Sequence, residues 1–110
     1  MKDFLVLFRE EDGRTTGQPA DEMARHQLNW KSWLEAASQE NKLTGGKPLT
    51  LRGNVILNSG TVIPGPHAVG KEIVGGFLLV RAQSLEEATE LIKTCPVYES
   101  DGFAEVREIM

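Results

Sequence analysis

The stretch Phe4-Leu5-Val6-Leu7-Phe8 is unbroken in apolar character and is closed by Arg9-Glu10-Glu11-Asp12 and Gly13. This is the pattern of a short buried strand lying centrally in a sheet. Thr15-Thr16-Gly17-Gln18-Pro19 carries the breakers of a loop, and Pro19 is suited to open a helix because its missing N–H would have no partner there. From about Ala20 to Glu40 there is neither glycine nor proline. Met23, His26, Trp30, Trp33 and Ala37 recur at alternating steps of three and four, which puts them on one face of a long helix. That face is expected to meet the sheet. Leu43-Thr44-Gly45-Gly46-Lys47-Pro48-Leu49, with two glycines and a proline, reads as a turn back toward the sheet.

Leu51–Leu57 and Thr61–Ile63 flank Asn58-Ser59-Gly60, the arrangement of a β-hairpin, which is expected to project beyond the core. After Pro64-Gly65-Pro66, the run Ile73–Val80 is so nearly continuous in apolar character that it reads as a second central strand, buried on both faces. Ser84 with Glu87 three residues on forms a capping box, and Leu85, Ala88, Leu91 and Ile92 supply the apolar face of a second helix ending near Thr94. Cys95-Pro96 stops it, and Phe103–Ile109 alternates as a terminal strand. Strand, helix, hairpin, strand, helix, strand is an α+β, ferredoxin-like split βαβ order with an inserted hairpin. Helices then cover one face of a mostly antiparallel sheet and leave the other for a partner, for which a second copy of the chain is the simplest choice.

The 110 residues are expected to form one domain. A net charge of −4 argues against a protein whose main task is neutralising phosphates, so nucleic acid is not expected as a partner. Cys95 is the single cysteine and has no partner for an internal disulfide. The opening apolar run is too short for a signal segment or a membrane span, and the cytoplasm is the expected compartment.

Pro64-Gly65-Pro66-His67-Ala68-Val69-Gly70-Lys71-Glu72, followed after two residues by Gly75-Gly76-Phe77, resembles the DGPF segment of the YCII-related (DGPF) domain family. Ser84-Leu85-Glu86-Glu87-Ala88, Cys95-Pro96 and Glu105-Val106-Arg107 extend the resemblance over the second half. It implies a homodimeric α/β barrel in which two sheets pack face to face. It also implies a site, since in part of the family a helix-one histidine pairs with the aspartate of an Asp-Pro dipeptide after helix two, and one relative uses such a pair in dehydrochlorination. Here His26 matches the histidine, but Cys95 stands where the aspartate would be, and Pro64, His67 and Val69 depart from the family's acidic and aromatic positions.

His26 is the leading candidate for chemistry, because an imidazole moves protons near neutral pH. The competing reading is a packed histidine satisfied by hydrogen bonds. Trp30 and Trp33 either line an apolar pocket or belong to the core. His67 and Lys71 flank a loop that could reach a pocket rim, where Lys71, or Arg9, would hold the carboxylate of a small organic acid. Cys95, at a helix C-terminus, is expected to be an inert thiol. The two histidines lie far apart without further ligands at metal spacing, so neither a metal nor another cofactor is expected. Two functions remain open: a non-catalytic, dimeric small-molecule-binding or accessory domain, favoured by the missing aspartate, and a lyase or isomerase using His26 as general acid/base.

Overall fold

Strand β1 spans Lys2–Glu11 and turns Phe4, Val6 and Phe8 into the core, while Leu5 and Leu7 point to the opposite face and are half-buried. The computed structural model of the chain describes residues 1–11 and 19–110. The loop expected over Thr15–Gln18 lies outside the described residues. Helix α1 covers Ala20–Gln39, with Pro19 as its N-terminal flanking residue. β2 is Leu43–Pro48, β3 Asn54–Ile56, β4 Val62–Pro64 and β5 Glu72–Ala82; α2 is Leu85–Ile92 and β6 Phe103–Glu108. A short 3₁₀ turn, Pro96–Ser100, joins α2 to β6.

Four strands form one antiparallel sheet in the order β2-β5-β1-β6, and β3 and β4 form a separate hairpin. This is the ferredoxin-like arrangement with the hairpin inserted between β2 and β5. The core lies between sheet and helices, where Phe4, Val6, Val80, Ile92 and Val97 are almost completely buried. Cys95 belongs to this cluster at 3% exposure, and burial pushes its thiol pKa up. At α2, Ser84 accepts a hydrogen bond from the Glu87 N–H at 3.2 Å, the cap the sequence announces. Of that helix's expected apolar face, Ala88 and Ile92 are buried but Leu85 stays exposed.

Two expectations are corrected. Leu43–Pro48 is an edge strand rather than a turn: it pairs with β5 from Leu43↔Val80 to Pro48↔Gly76, with an irregularity between Leu43 and Gly45. Its glycines serve close packing. Gly46 sits at φ +143°, and a Cβ there would lie 2.6 Å from the Phe77 carbonyl oxygen and 2.9 Å from the Leu78 Cα. Gly46→Ala is therefore expected to lower unfolding free energy by more than about 2 kcal/mol, through backbone strain plus overlap, as measured by denaturant titration. The second correction concerns Met23. It is 48% exposed, so the inner stripe of α1 begins at His26, and Ala37 is the helix's one buried residue.

Candidate functional site

His26 sits in the second turn of α1, and the 3₁₀ turn that starts at Pro96 brings Glu99 to it. Nδ1 of His26 lies 3.0 Å from Glu99 Oε1. Asn29, three residues further along the helix, donates to both oxygens of the same carboxylate at 3.2 and 3.1 Å. These hydrogen bonds, His26's first, hold the Glu99 carboxyl below its usual pKa range. Such a group stabilises the fold above its unfolded-state pKa, and that contribution is lost as pH falls through the lowered folded value. A carboxylate thus stands against His26 four residues after Cys95.

Nε2 of His26 accepts from the indole N–H of Trp30 at 3.2 Å and lies 3.3 Å from Ser100 Oγ. An indole N–H only donates, so Nε2 must present its lone pair and the single proton of the neutral ring belongs on Nδ1, facing Glu99. Long-range ¹H–¹⁵N NMR of the neutral imidazole is expected to show a protonated Nδ1 and a bare Nε2; the reverse assignment would contradict this network. The basic nitrogen is covered by Trp30 and Ser100 in this arrangement and must be uncovered before it can act on another molecule.

Trp30 links the histidine to a cavity. Its ring packs edge-on against Phe8, with centroids 5.2 Å apart. Trp30, Phe8, Leu34, Leu43 and Leu78 line a cavity of about 510 Å³ between α1 and the β2-β5-β1 part of the sheet. A volume of this order suits a small organic molecule. Glu10 lines the same cavity, half-buried, on the face of β1 that also carries Phe4, Val6 and Phe8. Its carboxyl lies over Gly75, where any side chain would overlap it. Burial pushes the Glu10 carboxyl pKa up, partly opposed by the charge of His26.

A carboxyl whose folded pKa exceeds its unfolded value binds more protons when folded, so stability falls as pH rises between the two values. Glu10→Gln is accordingly expected to raise the melting temperature at pH 7 and to leave it nearly unchanged below pH 4, as read by thermal melts at both pH values. A melting temperature lowered at pH 7 would place Glu10 in a favourable ionic role instead.

The remaining candidates are dispersed. Trp33 donates to Thr94 Oγ1 at 2.9 Å and packs against the core cluster, without lining the cavity. His67 lines a second cavity of about 500 Å³ at the base of the hairpin, together with Arg9 and Arg52. Arg9 also pairs with Glu105 at 3.5 Å. Lys71 is exposed and lines neither cavity. Among the described residues, no group of three or more His, Cys, Asp or Glu is placed to hold a metal ion. No described helix is long and apolar enough to cross a membrane.

Sheet order and helix placement define an α+β protein of ferredoxin-like fold. The chain belongs to the YCII-related domain family, whose profile matches residues 4–110. Its fold is similar to that of the 5-chloro-2-hydroxyhydroquinone dehydrochlorinase of Burkholderia phenoliruptrix AC1100, solved in complex with 2,5-dihydroxybenzoquinone. The two share 20% identity with a TM-score of 0.51, over 98% of this chain and 93% of that one. The comparison with curated proteins returns no match.

Proposed function

We propose that the protein is a small-molecule enzyme of lyase or isomerase type that uses His26 as general acid/base, with Glu99 as the carboxylate that orients it. The observation that carries this reading is the 3.0 Å contact between His26 Nδ1 and Glu99 Oε1. A carboxylate on Nδ1 fixes the tautomer and stabilises the imidazolium formed when Nε2 takes a proton. The substrate would occupy the cavity beside Trp30, and a shift of the indole would expose Nε2 to it. That a protein of similar fold is a dehydrochlorinase fits proton-transfer chemistry on this scaffold, though folds host unrelated activities.

The second reading, a non-catalytic binding domain, is favoured by the Trp30 N–H that covers Nε2. Solvent-deuterium incorporation into a panel of small carbon acids, followed by NMR, separates the two. Exchange that depends on His26 supports the enzyme. Absence of exchange in a compound that nevertheless binds supports the binding domain.

A second copy of the chain is proposed to pack on the sheet face away from the helices. Half-buried Leu5, Leu7, Phe77 and Leu79 form a row there, and Phe103 beside them is 43% exposed. Sedimentation at micromolar concentration tests this; a monomer mass would rule it out.

A further inference from the structure

The cavity between α1 and the sheet has a charge character as well as a volume. Its walls are mainly apolar: Phe8, Trp30, Leu34, Leu78 and Val97 contribute side chains from β1, α1, β5 and the 3₁₀ turn. Among the polar residues on the lining, Thr44 donates its hydroxyl to the Leu79 carbonyl at 3.2 Å. Lys47 stands opposite Phe77 in the ladder, on the strand face alternate to that of Gly46 and Leu78. Glu10 is the one carboxyl on the lining among the described residues.

We infer that this cavity takes a ligand with a cationic amine head and an apolar body, the ammonium seated on the Glu10 carboxyl and the body against Trp30 and Phe8. The inference rests on reading the cavity as the protein's small-molecule site and names the class of molecule that fills it.

The lining supports the assignment in several ways. A carboxylate held among apolar walls has lost much of its hydration, and a cationic partner restores what burial removed. An anionic ligand would face the same carboxylate at close range in a medium of low polarity and be repelled. Trp30 and Phe8 give the apolar body an aromatic surface to pack on. The absence of a side chain at Gly75 lets the Glu10 carboxyl lie against the strand there. Burial pushes the Glu10 pKa up, and a bound cation would counter that shift by favouring the ionised form.

The test is calorimetric titration of the full chain and of its Glu10→Gln variant with benzylamine, benzyl alcohol and benzoate, which match in size and differ in charge. Benzylamine is expected to bind best, and to weaken by about tenfold or more in Glu10→Gln, the order expected when a charge-assisted hydrogen bond is removed. Benzyl alcohol should change little. Thermal melts of the variant confirm that it folds. A preference for benzoate, an equal loss for amine and alcohol, or no binding of any of the three overturns the inference. Benzylamine binding through Glu10 without His26-dependent exchange in any substrate leaves this inference standing and removes the enzymatic reading. Exchange through His26 with anionic ligands alone does the opposite.

Discussion

Phe4→Ala is expected to lower unfolding free energy by about 3–5 kcal/mol, the range for removing a fully buried aromatic ring. Phe4 is 0% exposed near the start of β1, paired with Val80 on β5 and Glu108 on β6. Its ring belongs to the cluster that holds Val6, Val80, Ile92 and Val97, so truncation leaves a void between the two central strands and the helical layer packed on them. For a domain of ordinary stability, about 5–15 kcal/mol, the loss is a large part of the margin. Urea titration should show a lower midpoint at an unchanged slope. A loss under about 1 kcal/mol would mean that the core closes around the gap, and that the buried face of β1 is less rigid than its packing indicates.

His26→Gln carries the largest expected effect on function. On the proton-transfer reading, glutamine keeps hydrogen-bonding capacity and roughly the size of the side chain but cannot accept and return a proton. Turnover should fall by about 10²–10⁴-fold, with kcat carrying the loss and KM nearly unchanged. Glu99→Gln should cost less, since it removes only the charge that stabilises the imidazolium and leaves an oxygen able to accept from Nδ1. An equal effect of both variants on KM alone would assign His26 to binding. Retained kcat in His26→Gln would remove it from the chemistry and leave Glu10 as the group to pursue.

The strands and helices with long apolar runs are legible in the chain: β1, β5, α1 and α2 fall within a few residues of where periodicity puts them. β2 is not legible, because Thr44-Gly45-Gly46-Lys47-Pro48 has the composition of a turn. Those glycines are needed for close approach to Leu78 and Phe77, a contact made by a segment more than thirty positions away. The site divides in the same way. His26 stands out by residue type and helical position, whereas its partner Glu99 is 73 residues distant and sits in a turn with no periodicity of its own. Glu10 is within reach of sequence reasoning. It continues the alternation Phe4, Val6, Phe8 on the core face of β1, but a run of charges following an apolar strand reads more naturally as the point where the strand enters solvent.

α1 buries one of its twenty residues completely, Ala37, near its C-terminal end. Its middle is tied to the body by the polar contacts of His26 and Asn29 with Glu99 and by the packing of Trp30 on Phe8. The groups proposed to perform chemistry are therefore also the clasp that keeps the helix seated. A ligand that displaces Trp30 from His26 would loosen that clasp, and amide hydrogen exchange in the first turns of α1 would report occupancy of the cavity without any product being formed. Evolution of new reactivity at this site then carries a mechanical cost: a residue exchanged for better chemistry must still hold the helix down.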